Sequence, residues 1–153
     1  MQSSGHFTDY LTQRPQMIKD QLLKRANQFF ELSKHEFQDG KYEKAINTLN
    51  KAFMLNSFNI QFYLLRCECF VQMCDFRSAI LTVNKLLSII SVWTEENDNK
   101  YDSLKVALHE KVVFCHYMLG QVYFDAKLFL DALDSFNKAS ELKPDNLVYK
   151  IRR

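Results

Sequence analysis

Apolar side chains recur along this chain at intervals of three and four residues, the spacing that gathers them on one side of an α-helix. Met17, Ile18, Leu22, Ala26, Phe29, Phe30 and Phe37 keep it between Pro15 and Gly40, and Pro15 is tolerated in a first helical turn. The N-terminal part of this helix is expected to act as a cap over the first helical hairpin. The same period predicts helices over about 42–55, 59–73 and 76–92. The stretch TEENDNKYDS, Thr94 to Ser103, is polar and mostly acidic, and breaks the pattern as a solvated loop does. DSLKVALHEKVVFCHYMLGQVYF then resumes it as one long helix, with Asp102 or Ser103 expected as its N-cap. Residues 1–13 are expected to form a flexible leader.

The pattern also repeats. KYEKAINTLNKAFMLNS (Lys41 to Ser57) aligns with DFRSAILTVNKLLSIIS (Asp75 to Ser91) at a shift of 34 residues. Ala45 then falls on Ala79, Ile46 on Ile80, Asn50 on Asn84 and Lys51 on Lys85. LFLDALDSFNKASELKP (Leu128 to Pro144) joins the same frame, with Ala132 on Ala79 and Asn137-Lys138 on Asn84-Lys85. This third copy lies 53 residues beyond the second, so an insertion of about 94–112 separates them. The copies occupy about 26–59, 60–93 and 113–146. NLVYKIRR reads as a truncated next helix at 147–153, as in a fragment or short isoform of a longer array.

The third copy carries Leu119-Gly120, Tyr123, Ala132, Phe136, Ala139 and Pro144, with His116 in front. In these residues and their spacing the chain resembles the tetratricopeptide repeat (TPR) family, with His116 replacing the usual opening Trp. The first and second copies depart further, at Glu36, Arg66 and Leu86 among others, yet keep the small residue (Ser33, Cys67) and the alanine. Small side chains at matched places let two antiparallel helices approach closely. The resemblance implies an all-α fold: residues 14–153 form a right-handed solenoid, or α-α superhelix, of helical hairpins. Two segments, Gln61 to Ile80 and Gly120 to Pro144, resemble more particularly one longer multi-repeat member of the family. The Cys-Asp-Phe and Phe-Leu-Asp-Ala turns recur there in the same order, which suggests a ciliary association.

Under the resemblance, the first helix of each hairpin lines a concave groove. The family's groove slots fall on Asn27, Phe30, Lys34, Phe37 and Gln38 in copy one and on Gln61, Leu64, Glu68, Val71 and Gln72 in copy two. In copy three they fall on Phe114, Tyr117, Gln121, Phe124 and Asp125. Apolar and aromatic groups dominate, which suits a partner helix or extended peptide with large apolar anchors. The alternatives are a co-chaperone-like module and a regulatory domain of a larger enzyme or complex. A chaperone-tail clamp needs several cations to pair desolvated carboxylates. Its slots hold Phe30, Lys34, Leu65, Phe114 and Met118, with a single cation among them.

Composition narrows the picture further. Three glycines and two prolines are too few for an all-β chain of 153 residues. A net charge of +2 without basic blocks argues against a nucleic-acid partner. The N-terminus has no apolar signal core, and the longest apolar run, Leu86 to Trp93, is too short for a bilayer. A cytoplasmic protein with no membrane partner is therefore expected. Cys67 and Cys69 face opposite ways on a helix, and Cys67 and Cys74 stand two turns apart, so no metal and no cofactor are expected. His109-Glu110 lacks the second histidine of a metalloprotease helix, and no catalytic residues are assigned. Self-association through the array ends is expected to depend on concentration.

Overall fold

The computed structural model describes the backbone of residues 2–94 and 99–142, and the side chains of residues 16–94 and 99–142. Among them six helices and no strand are found: α1 (Gln2–Gln38), α2 (Tyr42–Leu55), α3 (Ile60–Gln72), α4 (Phe76–Trp93), α5 (Asp102–Asp125) and α6 (Phe129–Leu142). The period-3.6 pattern placed α2, α3 and α4 to within a residue. Both helices flanking the insertion are lengthened: α4 has 18 residues against 14 in α2, and α5 has 24 against 13 in α3. The expected truncated helix at 147–153 lies outside the described residues.

Two expectations are corrected. The first helix begins at Gln2, upstream of Pro15, so the stretch read as a flexible leader continues α1. Met17, Ile18 and Leu22 are 60%, 48% and 43% exposed. The small residues that admit a second helix begin further along, at Ala26, which is fully buried. The second correction concerns the start of α5. Asp102 is inside its first turn and Tyr101 takes the N-cap position without a side-chain cap. Asp102 therefore acts on the helix dipole rather than as a capping acceptor.

Contacts divide the chain into two units, Met1–Phe62 and Tyr63–Arg153, with α3 shared between them. In the first unit α1 and α2 form a hairpin around Ala26, Ser33, Ala45, Leu49 and Ala52, all fully buried. The Ser33 hydroxyl donates to the Phe30 carbonyl at 2.7 Å, so a small polar side chain sits in the core with its hydrogen bond made. The ring of Phe62, fully buried, lies 5.0 Å from Phe30 and 5.6 Å from Phe53. In the second unit Cys67 and Ala79 are buried together, with Cys67 Sγ 4.0 Å from the Ala79 carbonyl oxygen. Helix α4 buries Ala79, Ile80, Val83, Leu86, Ile89 and Ile90. By length and composition alone this helix is apolar enough to cross a bilayer, and 44% of it is buried inside the protein.

All three hairpins close by the same device. Gly40, Cys74 and Lys127 each adopt a left-handed backbone, at φ of 76°, 59° and 63°. Each donates its N–H three residues back, and the next residue donates five back, as in Lys41 to Glu36, Asp75 to Phe70 and Leu128 to Tyr123. This pair of bonds is the Schellman motif, which satisfies the last carbonyls of a helix and turns the chain back on itself. The second hairpin adds a cap, in which Asp75 accepts from the Ser78 backbone N–H at 3.2 Å and its hydroxyl at 2.8 Å.

The third hairpin has its closest approach at Gly120. A Cβ built there would lie 2.6 Å from the Phe136 ring, so the glycine makes room for that aromatic ring. Phe136 is buried and holds Tyr117 at 5.7 Å between ring centroids.

The turns and the close approach set the cost of three substitutions. Lys127→Gly is expected to raise the unfolding free energy by about 1 kcal/mol, and Gly40→Ala to lower it by a similar amount. No atom stands within 4 Å of the added methyl at Gly40, so the effect there is conformational, and urea denaturation reads both. Gly120→Ala is expected to cost about 1–3 kcal/mol, because the displaced Phe136 ring is already packed. Thermal unfolding followed by circular dichroism checks it.

Candidate functional site

The residues assigned to the groove divide between the two units. In the first, Asn27, Gln38 and Gln61 are exposed. Gln61 donates its backbone N–H to the Asn59 side chain at 2.9 Å, a cap for α3. Phe30 and Phe37 are half-buried and committed to local packing, Phe30 on Phe62 and Phe37 edge-on to Tyr42 at 5.3 Å. Lys34 pairs with Glu31 at 2.9 Å, and its ammonium lies 5.0 Å from the Phe30 ring centroid. The lone cation among the clamp slots is thus already engaged.

In the second unit α3 and α5 present Leu64, Glu68 and Val71 beside Phe114, Tyr117, Gln121 and Phe124. The α5 members stand at i, i+3, i+7 and i+10, a single stripe along the helix. Phe114 is 38% exposed and meets Phe76 edge-on at 6.4 Å. Tyr117 leans on Phe136 and is half-buried. Phe124 is 54% exposed and meets a neighbouring exposed ring, Phe129, at 5.5 Å. Gln72 and Asp125 are exposed at the ends of their helices. Of the stripe, Phe124 has the ring least committed to the core.

Sequence reasoning missed Lys111. Its ammonium meets the Glu68 carboxylate at 2.8 Å, tying α3 to α5. The hydrogen bond to Glu68 pushes the lysine pKa up, against the opposing pull of partial burial. The signal was present, since Lys111 precedes Phe114 by three residues and so shares its face. Lys111 falls in the segment set aside as insertion. With Ala107, Glu110 and Phe114 it lines a concavity of about 400 Å³.

A second cleft, of about 340 Å³, opens between α4, α5 and α6 beside Arg77, Ile80, His116, Leu119 and Lys138. Arg77 donates to the Tyr123 hydroxyl and lies 5.7 Å from its ring centroid. Burial, reinforced by Lys138, holds the His116 imidazole below its usual pKa, and it occupies a packing slot as a neutral ring. Of the four thiols, Cys67, Cys69 and Cys115 are buried and Cys74 is exposed. Burial pushes Cys67 up to about 12, and Cys69 and Cys115 each up to about 11. Among the described residues no group of three or more His, Cys, Asp or Glu side chains is placed to hold a metal ion.

Residues 115–146 match the family model described as Tetratricopeptide repeat. The chain is 27% identical over 128 residues to tetratricopeptide repeat protein 16 of Macaca fascicularis, and equally so to that of Homo sapiens. Each alignment covers 84% of this chain and 13% of the relative, so the chain spans about an eighth of the length of these curated relatives. These are the longer multi-repeat proteins that the Cys-Asp-Phe and Phe-Leu-Asp-Ala turns resembled. Among solved structures, the N-terminal domain of stress-induced protein-1 (STI-1) from C. elegans is similar, with a TM-score of 0.50 and 16% identity. The match covers 86% of this chain and 94% of that one, and the likeness is one of fold. The fold is the all-α, TPR type.

Thiol labelling with an aromatic disulfide at pH 8 is expected to modify Cys74 rapidly in the native protein. The three buried thiols, largely protonated at that pH, should react only once denaturant opens the hairpins.

Proposed function

We propose that this chain, with a tetratricopeptide repeat at residues 115–146, is a non-catalytic scaffold or adaptor that binds other proteins through its α3–α5 face. The occupant is a helix or an extended segment with large apolar anchors. The observation that carries the reading is the exposed aromatic edge of α5, Phe114 and Phe124, on one stripe with the half-buried Tyr117 and beside the Glu68–Lys111 pair. Aromatic surface of this kind gives binding energy at low entropic cost, and a flanking ion pair sets orientation more than affinity. A cytoplasmic setting, with a ciliary association, is part of the same proposal.

The co-chaperone reading is weaker on the same geometry. Gripping paired carboxylates requires unengaged cations, whereas Lys34 is held by Glu31 and Lys111 by Glu68. A regulatory module of a larger enzyme would use the α3–α5 face in the same way and differ only in what it captures.

The test is to recover partners from cell extract, identify them by mass spectrometry, and titrate the recovered segment calorimetrically. Phe124→Ala is expected to weaken that binding by about 1–3 kcal/mol without shifting the thermal midpoint. Equal affinity in the variant would rule out this face, and unfolding would assign Phe124 to the core. Recovery of chaperone tails alone would favour the clamp.

A further inference from the structure

One position in the repeat frame holds a different ring in each copy. Phe29 and Tyr63 occupy it in the first two copies and His116 in the third. In the first hairpin the ring is all carbon, and the Lys51 ammonium lies 5.8 Å from its centroid. The matching Lys138 is instead paired with Asp134 at 3.0 Å. The His116 imidazole has its Nδ1 buried and without a hydrogen-bond partner among the described residues. A polar atom left so at the wall of a cleft marks a place where a ligand can supply the missing bond.

His116 lines the cleft of about 340 Å³ between α4, α5 and α6, a volume at the small end of ligand sites. Ile80 and Leu119 give it apolar walls. Tyr123, with the Arg77 guanidinium 5.7 Å from its ring centroid, gives it an aromatic one. One planar ring can stack there. Charge then decides which ring. Arg77 and Lys138 at the rim are balanced by Asp131 and Asp134, so an ionised ligand would be desolvated without net attraction. An uncharged ring with one hydroxyl matches better. A phenol O–H both donates and accepts, so it meets Nδ1 in either tautomer of the neutral imidazole, whereas an indole N–H only donates.

The rim also suits a peptide backbone. Arg77 on α4 has donors beyond the one given to Tyr123, and Asp131 on α6 accepts. The C=O and N–H groups that flank a bound side chain thus find a partner on either wall. We propose that the α4–α5–α6 cleft receives the tyrosine side chain of a partner peptide, its ring against Tyr123 and its hydroxyl at His116. This site goes beyond the α3–α5 face. Helical spacing sets His116, Leu119 and Tyr123 nearly opposite the stripe from Phe114 to Phe124 on α5, so either site can fail without the other.

Titration of the full chain with N-acetyltyrosinamide, followed by two-dimensional NMR, tests this. The signals of His116, Leu119 and Tyr123 are expected to shift and saturate. N-acetylphenylalaninamide, which lacks the hydroxyl, should bind about fivefold more weakly. His116→Phe, which restores the ring of the first copy, should make the two amides equal without moving the thermal midpoint. Phe124→Ala should change neither. Shifts that do not saturate would overturn the proposal, as would equal binding of the two amides by the unaltered chain or a preference that survives in His116→Phe. Tighter binding of the phosphotyrosine amide would overturn the charge argument and the proposal with it. So would p-cresol bound as tightly as N-acetyltyrosinamide, since a free phenol would then be the ligand.

Discussion

Close approach of two helix backbones is the constraint from which the rest of this structure derives. Backbones can near each other only where at least one of the facing side chains is small, and this chain places such a residue at three matched positions. Ser33 and Ala45 are fully buried in the first hairpin, and Cys67 touches the Ala79 carbonyl in the second. Gly120 lies against the Phe136 ring in the third. The solutions differ in chemistry. A hydroxyl must be satisfied within its own helix, a thiol is simply buried, and a glycine makes room for an aromatic ring. The geometry they permit is the same, and so are the left-handed turns at Gly40, Cys74 and Lys127 that feed it.

Burial has chemical consequences beyond packing. It keeps Cys67, Cys69 and Cys115 protonated and the His116 ring neutral, whereas Cys74 stays exposed. Glu36 is the departure: it takes the position held by Phe70 and Tyr123 in the other copies and is buried, with Lys44 at 3.8 Å. What α3 and α5 leave at the surface is an aromatic stripe and one ion pair, Glu68–Lys111.

The insertion has a structural role that its polar loop conceals. By lengthening α5 at its N-terminal end it brings Lys111 against Glu68 and adds Ala107 and Glu110 to the wall beside Phe114. An irregularity in the repeat period thus enlarges the proposed binding face of the second unit. It also lengthens α4 by residues 90–93, of which Ile90 is buried.

The sequence by itself determined the helices, their hairpin pairing and the small-residue register, because helical period and repeat period are properties of residue order alone. Ala45, Ala79 and Ala132 could be matched by counting, and all three are buried. Which members of the groove stripe face solvent was decided only in three dimensions. Phe30 and Phe124 look alike in the sequence, yet one lies against the buried Phe62 and the other stands mostly exposed. Spacing tells which side of a helix a residue occupies, whereas exposure depends on what another helix, distant in the chain, brings against that side. The same holds for Lys111, whose partner Glu68 lies 43 positions earlier and is reached only when α3 and α5 lie side by side.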